Sequence, residues 1–292
     1  MFSPPRQEKL CPVLFTQKTS HARLLGSPMK TLFASPQRLG LADRLLPILN
    51  GEIDRRILVN YRCDPDVAAR LLPAPLRPQL VNGWAMIGIC LIRLTQIRPR
   101  GLPAWAGLSS ENAAHRIAVE WDDEGQPGSG VFIFRRDTDS LLNSLAGGRV
   151  FPGVHHRADI ATWEGDTRFK IAVHSRDDGT RIRLIARTED GGLAGSLFRN
   201  LEAASDFFAC GSIGWSQNSR GKLEGMQLRT TKWKVSPLQV ERVESSFFSD
   251  TRRFPVGSVT FDCALLMKNI PHEWHRCAWP TTINPPKPEG YL

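Results

Sequence analysis

The sequence predicts an α+β fold, mainly β, with a few short helices. Three observations carry this. Apolar or alternating runs of strand length recur, as in EIDRRILVNYRC, GWAMIGICLIRLTQI and SVTFDCALLMKNI. Turn pairs, Asn82-Gly83 and Asp178-Gly179, punctuate the chain. Helical patterns are brief, as in DVAARLL and the start of SLFRNLEAASDFFACG.

At 292 residues the chain is long enough to bury a substantial core. Its apolar runs are broken by Gly, Pro or Arg, which argues against a membrane span. The formal charge is +9 but unevenly placed: residues 1–50 hold seven basic side chains against two acidic ones. That Pro/Ser-rich stretch reads as a disordered leader over residues 1–38, or as the product of a start at Met1 where translation begins at Met29. A single domain is expected over 39–280 and an extended tail over 281–292. A nucleic-acid binder would more often carry its basic face on the folded part, so nucleic acid is disfavoured. The six scattered cysteines form no CxxC pair and read as free thiols of a reducing, cytoplasmic compartment.

In order, LGLADRLLPIL suggests a short helix interrupted at Pro47, and EIDRRILVNYRC a strand. Asp64-Pro65 is a helix entry, with Asp capping and Pro at the first helical position. A proline-rich link leads to Asn82-Gly83 and a long apolar strand, and residues 99–110 are loop. In ENAAHRIAVEW, alternation puts His115, Ile117, Val119 and Trp121 on one face, so His115 reads first as a hydrogen-bonded core histidine.

The stretch Gly130–Arg157 gathers charge at element ends. GVFIFRR is apolar on both faces, and Arg135 and Arg136 at its end point to opposite sides. An arginine facing a cavity needs an anion: a protein carboxylate such as Asp137 or Asp139, or a ligand held bidentately. A short helix DSLLNSLA follows, capped by Asp137 or Thr138 and ended by Gly147-Gly148, with Arg149 beyond it. In GVHHRADIATW, alternation makes His156 the inward histidine and leaves His155 to solvent or a neighbouring loop. Adjacent histidines on a strand point apart and do not chelate together, so no metal is expected there.

In the second half, DTRFKIAVHSRDDGTRIRLIARTED reads as a hairpin with a solvated polar face. Leu197, Leu201, Ala204 and Phe208 mark one face of a helix. Gln217–Glu224 is a polar turn, TKWKVSPLQVERVESSFF a strand or strand pair, and SVTFDCALLMKNI the last strand. His272, His275 and Cys277 in PHEWHRCAWP lack the HExxH order and read as surface structure near the terminus. No cofactor fingerprint appears.

The segments YRCDPDVAARLLPAPLRPQLVNGWAMIGICLIRL, ENAAHRIAVEW and GVFIFRRDTDSLLNSLAGGRVFPGVHHRA together resemble the DUF2071 group, whose fold is that of acetoacetate decarboxylase. The resemblance implies an acetoacetate decarboxylase-like antiparallel β-barrel or cone, and a possible homo-oligomer. In the decarboxylases a lysine pair occupies a position that resembles Arg135-Arg136, and one lysine forms a Schiff base with a keto acid. Arginine stays protonated and cannot do that chemistry. No lysine lies between Lys30 and Lys170 to replace it. The family also places a glutamate in the pocket, and Glu111 matches it by position.

The candidate site residues are therefore Glu111, His115, Arg135, Arg136, Arg149 and His156. One reading is a barrel that binds a small anionic or carbonyl-bearing metabolite. In an enzymatic form, His156 or Glu111 would act as acid or base, and Arg136 or Arg149 would stabilise negative charge. A second is a non-catalytic, partner-binding barrel with internally paired arginines. A third is a binder of anionic surfaces or nucleic acid working through the basic leader.

Overall fold

The computed structural model describes residues 48–123, 126–141, 151–189, 193–218, 220–277 and 279. The helix expected over 39–49, most of the helix expected after Asp139, the leader, the tail and Arg149 lie outside the described residues.

Strand β1 (Leu49–Cys63) is long because apolar residues occupy both of its faces, so it is covered on both sides. It pairs antiparallel with β4 (Trp84–Pro99) and β13 (Val259–Cys277). Helix α1 (Pro65–Arg70) leaves β1 directly. The Asp64 carboxylate accepts from the Asp66 and Val67 amides at 2.9 and 3.1 Å, and Pro65 fills the first turn. Asp64→Ala is expected to cost about 1 kcal/mol, read as a shift in denaturant midpoint at unchanged slope. The link to β4 carries two short strands, β2 (Arg77–Pro78) and β3 (Leu80–Val81). Asn82 and Gly83 both adopt positive φ there, as the expected turn requires.

β5 (Leu108–Asp123) pairs with β4 and with β6 (Gln126–Thr138). β7 (His155–Glu164), β8 (Arg168–Ser175) and β9 (Arg181–Thr188) follow, the last two joined by the expected hairpin with Gly179 at φ 70°. Helix α2 (Leu201–Cys210) starts at Asn200, whose side chain accepts from the Ala203 amide at 2.8 Å. Then come β10 (Ile213–Gln217), β11 (Leu223–Arg229) and β12 (Ser236–Ser245).

Strands β6, β7, β8, β9, β12, β13, β1, β4 and β5 follow one another by hydrogen-bonded neighbours and close through β5–β6 into a nine-stranded barrel. The fold is therefore α+β, mainly β, a closed barrel with a few short helices. Its pairings are antiparallel except β6–β7 and β6–β10. A second circuit branches off, because β10 joins β6 and β11 joins the far end of β13. The barrel interior holds one apolar cluster, including Ile57, Ile89, Ile117, Phe132 and Leu184. The opposite face of β1, β4, β5 and β13 holds another, covered by Phe198, Ala204 and Phe208. No helix among the described residues is long and apolar enough to cross a membrane.

The polar turn expected over Gln217–Glu224 joins β10 and β11 as a hairpin. Three local expectations change. β5 begins at Leu108, inside the loop expected over 99–110. Residues 231–235 lie outside β12. PHEWHRC continues β13 rather than forming surface structure, and His272 is buried, because β11 pairs with this segment and covers it.

Candidate functional site

The inner face of the barrel carries a charged layer at one end. Arg55 on β1, Arg93 on β4, Glu111 on β5 and Glu164 on β7 meet there. Arg55 is 0% exposed; its Nη2 donates to Glu111, and its Nε lies 3.1 Å from Glu164 Oε1. Arg93 spans the same two carboxylates, with Nε 2.5 Å from Glu111 Oε1 and Nη2 2.8 Å from Glu164. It also reaches Asp54 at 3.2 Å and Thr162 Oγ1 at 3.0 Å. Both oxygens of Glu111 are thus occupied by arginine.

Further along the same face, His115 is 0% exposed. Its Nε2 lies 3.1 Å from Ser245 Oγ, with the Phe247 and Phe248 rings at 4.5 and 5.4 Å. Burial, and then the charge of Arg135, pushes its pKa down to about 3. The imidazole is neutral at pH 7, as the core-histidine reading required. Arg135 is held by two carboxylates. Its Nε and Nη2 donate to Asp137 at 2.7 and 2.8 Å, its Nη1 to Asp178 at 2.5 Å, and Nη2 also to Ser175 Oγ at 2.6 Å.

Arg136 has a different environment. Opposite β5, Arg135 pairs with His115 while Ile133 pairs with Arg116, so Phe134 is the extra residue of a β-bulge. The bulge turns Arg135 inward, in register with Phe132, and sends Arg136 to the second face. There its Nη2 lies 3.3 Å from Ser216 Oγ on β10, and its sealed Nε has no partner. No carboxylate among the described residues pairs with Arg136, and burial pulls its pKa down to about 10.

From Arg136 a chain of contacts runs to β13 through His155. It is in register with His155 of β7, whose pKa is pushed to about 3 by burial and then by Arg136. His155 stacks near Phe151, Phe151 near Trp274, and Trp274 near His272, with ring centroids 6.3, 6.3 and 5.5 Å apart. Burial, and to a lesser extent the charge of Arg56, holds His272 down at about 4. Arg56 Nε lies 3.3 Å from Cys90 Sγ, and Cys90 lies in the same cross-strand row as Arg136. His155 Nδ1, His272 Nε2 and Trp274 Nε1 are buried with no hydrogen-bond partner. Buried polar atoms are seldom left so, and the one on His155, next to Arg136, marks a place where water or a ligand belongs.

The five predicted residues that are described, Glu111, His115, Arg135, Arg136 and His156, do not converge. Glu111, His115 and Arg135 lie on the inner face but are paired there. His156 shares the face of Ala158, as alternation predicts, but sits at the open strand end, where its Nδ1 lies 2.8 Å from Asp177. His155 is the histidine beside an unpaired arginine, because the parallel β6–β7 register sets it against Arg136. Arg55, Arg93, Glu164, Arg56 and Ser216 were not singled out, and His272 was read as surface structure. Arg55 and Arg93 lie within strand runs, and only the carboxylates of Glu111 and Glu164 that meet them reveal their role.

A groove of about 920 Å³ lies on the outer side of β7–β9. Arg157, His174, Arg181 and Arg183 line it, and Asp159 pairs with Arg176 across it. It is open to solvent, so charges there are screened and weakly held.

Among solved structures, the chain resembles acetoacetate decarboxylase from Legionella pneumophila at 12% identity and a TM-score of 0.50, covering 83% of this chain and 96% of that one. It also resembles an acetoacetate decarboxylase-like enzyme from Sphingomonas wittichii RW1, at 15% identity and 0.47, over 79% and 90%. The enduracididine biosynthesis enzyme MppR complexed with pyruvate gives 12% and 0.48, over 78% and 88%. At such identities the likeness is one of fold, and the first of the three carries it. A comparison with curated proteins gives no match. The family model that matches residues 51–259, from β1 to the start of β13, places the chain in the DUF2071 family, described as an uncharacterized conserved protein.

Proposed function

We propose that this protein binds a small anionic metabolite, a carboxylate or keto acid, with Arg136 holding the negative charge. One observation carries the reading: Arg136 is a half-buried cation with a sealed Nε and no carboxylate partner among the described residues, whereas its neighbour Arg135 has two. A buried charge left unpaired is costly, and a ligand anion offsets that cost. Ser216 Oγ is within reach as a hydrogen-bonding partner, and neutral His155 and Trp274 leave buried polar atoms to a ligand. Phe151, beside His155, supplies apolar surface next to that histidine.

Amine chemistry does not fit the site. Arginine at 135 and 136 forms no Schiff base. The five described lysines, Lys170, Lys222, Lys232, Lys234 and Lys268, are all exposed. Glu111 and His156, the acid–base candidates, are engaged by arginine and by Asp177.

The test is a thermal-shift panel of keto acids, carboxylates and aldehydes on wild type and Arg136→Ala. A ligand at about one hundred times its Kd stabilises wild type by about 2.7 kcal/mol. That gain should vanish in the variant. Equal stabilisation of both proteins removes Arg136 from the site. If no panel member stabilises wild type, the reading gives way to a barrel without a small-molecule ligand.

A further inference from the structure

A second group of cations lies on the same face, nearer α2. Arg116 on β5 is 2% exposed, yet no carboxylate among the described residues pairs with it. Its Nη2 donates to Asn60 Oδ1 at 2.7 Å, and its guanidinium carbon lies 5.1 Å from the centre of the Phe208 ring. Both partners are uncharged, and Arg116 Nε has none. Arg56, the nearest other charge, has the same sign. Burial and then Arg56 pull the Arg116 pKa down to about 10, a direction that records an uncompensated charge.

Arg116 and Arg56 line one small cavity, closed by Gln79, Phe207 and Phe208. The centre of a water-sized sphere has about 10 Å³ to occupy in it, room for one water or one monatomic ion. A water molecule fills such a space but brings no charge. Two guanidinium groups facing it favour an anion, and the phenylalanine wall leaves little polar surface for a hydrated or polyatomic one. A carboxylate or phosphate exceeds the volume.

We infer that the cavity between Arg116, Arg56 and α2 is a structural site for one monatomic anion, chloride or bromide. The anion would neutralise Arg116 and thereby fix α2 against β5, since Phe207 and Phe208 are both residues of that helix. This site is separate from the proposed metabolite site, since Arg136 does not line it.

The full chain should be melted in sodium chloride, sodium bromide and sodium gluconate at matched ionic strength. Halides should raise Tm relative to gluconate, and Arg116→Met, which replaces the cation by an apolar group of similar length, should lose that difference. Crystals grown in bromide should show an anomalous peak between Arg116 and Arg56, a readout that needs no variant. A gluconate-equal Tm with no bromide peak overturns the proposal. So does an undiminished halide response in Arg116→Met. Because Arg136→Ala leaves this cavity intact, its halide response should match wild type, which separates failure here from failure of the metabolite reading.

Discussion

Arg55→Ala should destabilise the protein by about 3–5 kcal/mol, the typical cost of removing one partner from a buried ion pair. Arg55 is 0% exposed and contacts Glu111 and Glu164 from inside the barrel. Its loss leaves two carboxylates sharing Arg93 and opens a void among apolar side chains. The loss should appear as a lower denaturant midpoint with the slope preserved. The double replacement Arg55→Met with Glu111→Gln removes charge on both sides and should recover most of it, because paired removal of buried charge is far cheaper than single removal. A loss below about 1 kcal/mol for Arg55→Ala would mean that Arg93 alone satisfies both carboxylates, as at an exposed pair.

Stability should also fall steeply on mild acidification. His115 and His155 have pKa values lowered to about 3, and His272 to about 4, each chiefly by burial. In the unfolded chain each returns to about 6.5. Below that pH the unfolded state binds protons that the folded state refuses, so unfolding is favoured as pH drops. The histidines therefore cost nothing above about pH 6.5 and become increasingly destabilising down to their folded values of about 3 to 4. His115 alone contributes a slope of about 1.4 kcal/mol per pH unit, and the three together approach about 4 near pH 5. Urea titrations at several pH values between 7 and 4 measure the slope directly. His115→Phe should lower it by about one proton's worth; an unchanged slope would show that His115 is already protonated in the fold. Asp178, lowered to about 2 as the Thr180 and Arg135 hydrogen bonds outweigh its burial, acts only below about pH 4 and does not confuse this window.

Much of the framework was legible because it is local. The run from Tyr61 through Asp64-Pro65 to Asn82-Gly83 announces a strand end, a cap and a turn, and each is present. Alternation in KIAVHS and RIRLIAR separates buried from exposed faces as found. The Leu201, Ala204 and Phe208 spacing marks α2, although Leu197 lies before its start. The site was legible only in part. Alternation placed His115 inside, and it also required Arg135 and Arg136 to face apart. It did not say which faced the barrel. Read straight along GVFIFRR, alternation groups Arg136 with Phe132 and Phe134, but the extra residue at Phe134 reverses this.

The sequence by itself determined the strands, the short helices, the turn positions and the presence of two arginines and no lysine at the end of β6. These follow from side-chain periodicity, cap chemistry and residue identity, which act over a few residues. The tertiary structure alone decided which arginine is satisfied. That depends on a one-residue bulge, on the parallel register that sets His155 beside Arg136, and on which strands bring carboxylates to Arg135, Arg55 and Arg93. A charge is neutralised by groups far away in the chain, and electrostatic partnership, unlike periodicity, leaves no local trace. The stretch from Gly130 to Arg157 therefore announces charge, and only the closed barrel shows that Arg135 has its carboxylates while Arg136 has none among the described residues.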